Sequence, residues 1–166
     1  MASVVTILAI SAPGVAGTIL GADNRAGLWE DQLYSNIKMY FSREFLAGNL
    51  SSRQMQKVAD DMMKKPSATL HVCGTQEQAQ HPRMLAGAGV ACTPGPATTT
   101  GRTALYDLTC HDKSKFHVVV DFDRPTHAVV TLKDASPKQG QPAQIAKHDL
   151  RWLSSDCGDL KPGEMR

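Results

Sequence analysis

The sequence predicts a mainly β (α+β) domain: a curled antiparallel β-sheet or half-barrel packed on one amphipathic α-helix. Three observations lead there. Apolar and polar residues alternate through several short stretches, most clearly in the C-terminal half. A single stretch, Ser51 to Lys65, carries a helical period instead. The stretches are joined by short turns rather than by crossover helices, which favours antiparallel neighbours.

Leu28 to Phe41 reads as a strand. Trp29, Leu33, Ile37, Met39 and Phe41 share one parity, and Glu30, Gln32, Asn36 and Lys38 share the other. Asp31 and Ser35 interrupt the apolar side, so this is one bulged strand or two shorter ones. In the helical stretch, Met55, Val58, Ala59, Met62 and Met63 form one stripe. Ser51 and Gln54 make a capping box, and Leu50 with Met55 a hydrophobic staple. Lys64 and Lys65 suit the negative end of the helix dipole, and Pro66 blocks continuation. Methionines in a stripe can ligate copper, but as adaptable core fillers they read first as packing.

Thr69 to Gly74 is a short strand. Thr75 to Leu85 is polar, with room for a short helix broken near Pro82. Ala86 to Arg102 reads as loop around a brief strand at Val90-Ala91-Cys92. Ala104, Tyr106, Leu108 and Cys110 then alternate with polar neighbours. Phe116, Val118, Val120 and Phe122 do the same, and the turn Asp123-Arg124-Pro125-Thr126 folds residues 115–133 into a hairpin. Asp134 to Pro142 is loop. Ile145 to Leu153 is the last strand, with Ala146, His148, Leu150 and Trp152 on one side.

The chain has 166 residues, 42% of them hydrophobic and 20% charged. That suits one domain with a real core and excludes both a polytopic membrane protein and a disordered chain. A net charge of +2 with 5% aromatics gives no footprint for nucleic acid, and the charge is too mild to argue for an anionic membrane surface. The first charged side chain is Asp23. Residues 1–17 combine an apolar run, a Pro-Gly break and small residues, as in a secretory signal cleaved after Ala16 or Gly17. The run is too short to span a bilayer. It lacks the usual preceding Lys or Arg, so the alternatives are an incomplete signal or an apolar arm. A single disulfide-linked β domain at 26–159 and a polar tail at 160–166 complete the division.

Cys73, Cys92, Cys110 and Cys157 make an even count, which suits two disulfides in an exported domain; spacing alone leaves all three pairings open. No C-x-x-C pair is present. His71 and His111 stand beside cysteines, which keeps a Cys/His metal site as an alternative.

No nucleophile elbow, H-E-x-x-H or phosphate loop occurs, so no catalytic, metal or cofactor-binding residue is assigned. His148 and Asp149 are adjacent on a strand and therefore point to opposite faces. Asp121 and Asp123 share a face at a strand end and read as solvated rather than as a calcium site. His71, His111, His117, His127 and His148 are spread over several strands. Trp29 and Trp152 read as core, packing together where the first and last strands meet, or as the lining of a ligand cavity.

Several short motifs stand in a recognisable order: Ala26-Gly27-Leu28-Trp29-Glu30, His71-Val72-Cys73, Cys92 after a Gly-rich loop, Leu105-Tyr106-Asp107-Leu108-Thr109-Cys110, and Leu150-Arg151-Trp152-Leu153 with Asp156-Cys157-Gly158-Asp159. Through them the chain, over about residues 26–159, resembles the bacterial exported family called domain of unknown function 3617. Ala26 replaces that family's usual proline, and a capped helix stands where many members have a Met/Pro-rich linker. The resemblance implies a periplasmic or cell-envelope β domain with no known reaction and no cofactor. It also implies sequential disulfides, Cys73 with Cys92 and Cys110 with Cys157. The expectation is thus a non-enzymatic exported domain that binds an apolar small molecule, a lipid or an envelope protein. A periplasmic metal-binding protein using His, Met and Cys side chains is the alternative, and a hydrolase with an unrecognised site the third.

Overall fold

The computed structural model describes residues 25–76, 92–162, 164 and 166. The stretch 1–17 expected to be a signal segment, most of the polar stretch 75–85 and the start of the strand expected at 90–92 lie outside the described residues.

Eight strands lie among the described residues: β1 (Gly27–Ser35), β2 (Ala68–Gly74), β3 (Cys92–Pro94), β4 (Thr98–Thr100), β5 (Thr103–Cys110), β6 (Lys115–Arg124), β7 (His127–Asp134) and β8 (Ile145–Ser154). β4 falls within the stretch 86–102 expected to be loop, and β3 begins where the brief strand at 90–92 was expected to end. They form one curled antiparallel sheet in the order β2-β1-β8-β7-β6-β5-β3, with β4 also on β5. The last strand thus inserts beside the first. Its register sets Trp29 opposite Trp152 and Asp31 opposite Leu150.

Period two puts the buried apolar residues of the long strands on one face, while Leu105, Val119 and Leu153, on the other parity, are exposed. Trp29, Ala104, Tyr106, Leu108, Val118, Val120, Phe122, Ala128, Val130 and Leu150 make one buried cluster there, with Cys92, Phe116, Leu132 and Trp152 packed at its margin. This is called the inner face below.

The strand expected over Leu28–Phe41 ends at Ser35. Residues Ile37–Phe41 form a 3-10 helix instead, followed by α1 (Arg43–Leu46) and α2 (Ser52–Met62). Asn36 is the physical reason. It is 1% exposed; its amide donates to the Ala143 carbonyl at 2.9 Å and its oxygen accepts from the Ile145 N–H at 2.8 Å. That pair of bonds pins the chain to the start of β8 and turns it out of the sheet. The alternation beyond Asn36 is coincidental: Met39 is buried, while Phe41 is 75% exposed.

Helix α2 forms with the expected capping box, Ser51 and Gln54 bonding reciprocally. Of its stripe only Ala59 is fully buried; Met55, Met62 and Met63 are half-buried and Val58 is exposed. The sheet expected to pack on this helix does not cover its stripe. Ala59 and Met63 border a cavity of about 160 Å³ shared with Asn36, Pro142, Ala143 and Ile145.

The sequential disulfide pairing is wrong. The bonds are Cys73–Cys157 and Cys92–Cys110. Strand order decides it. β2 and β3 stand at opposite ends of the sheet, which keeps Cys73 from Cys92. β6 and β7 separate β5 from β8, roughly 14 Å at ordinary strand spacing, beyond the reach of Cys110 to a residue just past β8. Cys92 and Cys110 are instead direct cross-strand partners. Cys157, three residues beyond β8, crosses the end of β1 to Cys73 on β2.

The polar tail is also more than a tail. The carbonyls of Arg166 and Glu164 accept from the N–H groups of His71 and Cys73, and the Arg166 N–H donates to the His71 carbonyl. These bonds cover the outer edge of β2, where unpaired backbone groups would otherwise face solvent.

Candidate functional site

The inner face is apolar along its middle rows, with one ionic exception. One row runs Phe122, Ala128, Leu150, Asp31, Leu70; the next runs Ala104, Val120, Val130, His148, Leu33. Asp31 and His148 stand diagonally across β1 and β8. The His148 Nδ1 lies 2.8 Å from Asp31 Oδ2. The Asp31 side chain is 3% exposed and that of His148 17%. Asp31 is flanked by Leu70 and Leu150, and His148 by Leu33 and Val130. Burying a carboxylate among leucines is unfavourable unless its lone pairs are matched. Here the match is incomplete: Asp31 Oδ1 is buried and accepts no hydrogen bond.

The opposite parity of β8 builds a second cluster on the outer face. His127 Nδ1 lies 2.7 Å from Asp123 and its Nε2 3.0 Å from Asp149. Arg151 donates its Nε–H to the same Asp149 oxygen at 3.2 Å. Burial pushes the Asp123 carboxyl up, but the hydrogen bond and charge of His127, helped by Arg124, hold it below the usual carboxylate range. The two carboxylates sit at opposite edges of one imidazole, so their oxygens and a ring nitrogen do not converge on a point. Among the described residues no three His, Cys, Asp or Glu side chains are placed to hold a metal ion. The cluster braces the β6–β7 turn against β8.

His148 and Asp149 therefore do point to opposite faces, and each finds a partner of the other type there. Asp123 is engaged by His127, and Asp121 accepts from Thr103 at the exposed surface. His117 pairs with Asp107 on the exposed outer face, and His71 and His111 are exposed. All four cysteines are oxidised, which leaves no thiol for nucleophilic work.

Trp29 and Trp152 are tied to the entering chain: the Trp29 indole N–H donates to the Arg25 carbonyl and that of Trp152 to the Ala26 carbonyl, each at 3.0 Å. The Arg25 guanidinium lies 5.0 Å over the Trp152 ring. Trp29 is buried in the core row next to Asp31, and Trp152 is half-buried beside it.

The residue pair that sequence reasoning missed is Asp31–His148. The signal was present in two places: an acid on the apolar parity of the first strand and a base on the apolar parity of the last. Linking them needed the knowledge that those strands are neighbours.

The family model described as Protein of unknown function (DUF3617) matches residues 24–157. No curated protein and no solved structure matches the chain.

Proposed function

Because the chain belongs to the family of proteins of unknown function DUF3617, matched over most of its length, we propose its role from the site: an exported, non-enzymatic β domain that binds an apolar or amphipathic small molecule against the inner face. The supporting observation is the Asp31 oxygen that is buried without a donor, on a face whose rows around Asp31 and His148 are apolar. A buried acceptor of this kind lowers its cost by receiving a donor from a bound molecule. The flanking leucines and valines favour an apolar body next to that donor. A hydroxyl or ammonium head with an alkyl or ring tail fits both demands, approaching along the partly exposed His148. Export is supported by the two disulfides, which persist in oxidising compartments.

The test is native mass spectrometry of protein secreted to the periplasm, followed by titration with a long-chain alcohol, amine and fatty acid while Trp29 fluorescence is read. The expected result is a co-purifying apolar molecule and preference for the alcohol or amine. Asp31→Asn, checked for folding by circular dichroism, is expected to weaken that binding about tenfold or more, the range for losing a hydrogen bond to a charged group. Failure of every amphiphile to bind overturns the reading.

A further inference from the structure

We propose that the helical excursion between β1 and β2 docks this domain on an anionic lipid surface, with Phe41 and Leu46 as the inserting side chains. Phe41 is 75% exposed and Leu46 71%, the two most exposed large apolar residues described. Both belong to one short excursion, five positions apart, and an exposed apolar pair of that kind marks a candidate interaction surface. Their outward setting is fixed by their neighbours. Met39, two residues before Phe41, is 2% exposed and locks the 3-10 helix inward. The Tyr40 hydroxyl donates to the Pro142 carbonyl, and the Tyr40 and Phe45 rings meet edge to face at 4.9 Å. Ser42 caps α1 by accepting from the Phe45 N–H. The platform is therefore held by the sheet, and the two bare side chains project from it.

Charge completes the argument. Residues 36–66 carry six basic side chains (Lys38, Arg43, Arg53, Lys57, Lys64 and Lys65) against Glu44, Asp60 and Asp61. That is +3, in a chain whose total is +2, so the remainder is net acidic at −1. Apolar side chains with basic neighbours are the pairing that binds the interface of an anionic bilayer: the tails take Phe41 and Leu46, and the headgroups take the cations. The contact is peripheral, since no described helix is long and apolar enough to cross a membrane. It does not depend on the proposed binding at the inner face, which rests on Asp31 and His148 instead.

Co-sedimentation with vesicles tests it. The whole protein is mixed with phosphatidylglycerol–phosphatidylethanolamine vesicles and, in parallel, with pure phosphatidylcholine vesicles. Binding is expected to the anionic vesicles, at least tenfold weaker to the neutral ones, and reduced as salt rises from about 0.1 M to about 1 M, where screening shortens from about 10 Å to about 3 Å. Phe41→Ser with Leu46→Ser is expected to lower binding tenfold or more. Both residues are exposed, so the melting temperature should hold. Lys38→Glu with Arg43→Glu, a second variant that leaves the apolar pair intact, is expected to lose the preference for anionic vesicles. No binding to anionic vesicles, equal binding to both kinds, or full binding by the serine variant overturns the proposal. So does a dimer in solution that the serine variant dissociates, which would make this face a self-interface.

Discussion

At Gly27 the backbone leaves no room for a side chain. Its φ is +129°, a region L-residues rarely adopt, and a Cβ there would stand 2.1 Å from the Ser154 carbonyl oxygen. The register between β1 and β8 shifts just after it, at Leu28/Trp29, so this close approach belongs to a β-bulge. Gly27→Ala is expected to destabilise the protein by about 3 kcal/mol or more, seen as a lower urea midpoint with an unchanged slope. A second residue sets an alkaline limit. Burial, and then the charge of Asp134, hold the Tyr40 hydroxyl above its ordinary value. The fold favours the protonated phenol, which is also the form that donates to Pro142. That contribution is complete below the unfolded value of about 10 and is lost as pH rises through the higher folded value. Urea unfolding from about pH 8 to about pH 11 should show stability falling at the alkaline end, and Tyr40→Phe should flatten that fall. Neither residue was legible from sequence. Gly27 appeared only within a short motif, and Tyr40 fell on the polar parity of a strand that is not there.

Strands and helices were legible where period and punctuation agreed. β5 through β8 alternate cleanly, and the turn at Asp123–Thr126 lies where the hairpin folds. The α2 start was legible from Ser51 and Gln54. The failure at residues 37–41 has a local cause with a distant origin: Asn36 turns the chain because β8 and its preceding loop supply its partners, 107 and 109 positions away. The helix stripe misled in a milder way. A moment along α2 says which side is apolar, not what lies against it, and here that side stays partly open. β8 shows what a single strand can do with strict alternation. Its even positions supply the core and His148, and its odd positions supply Asp149 and Arg151 to the outer network.

The whole molecule is governed by strand order, which local pattern does not encode. Four cysteines allow three pairings, and only the placement of β8 beside β1 selects Cys73–Cys157 with Cys92–Cys110. A non-reducing peptide map should recover those two links. The bonds close sequence separations of 84 and 18 residues. In the chain-entropy model they contribute about 4.5 and about 3 kcal/mol. Cys73→Ser with Cys157→Ser should therefore lower the urea midpoint more than Cys92→Ser with Cys110→Ser. The candidate site is likewise a product of strand order, since Asp31 and His148 meet only across the β1–β8 pairing.

That pairing also has a temporal consequence. A ribosome delivers β1 well before its neighbour β8, so the β1–β8 seam cannot form until the strands between them in sequence have emerged. Such long-range closure makes for slow folding. Until β8 arrives, one edge of β1 is left waiting for a partner that lies far down the chain.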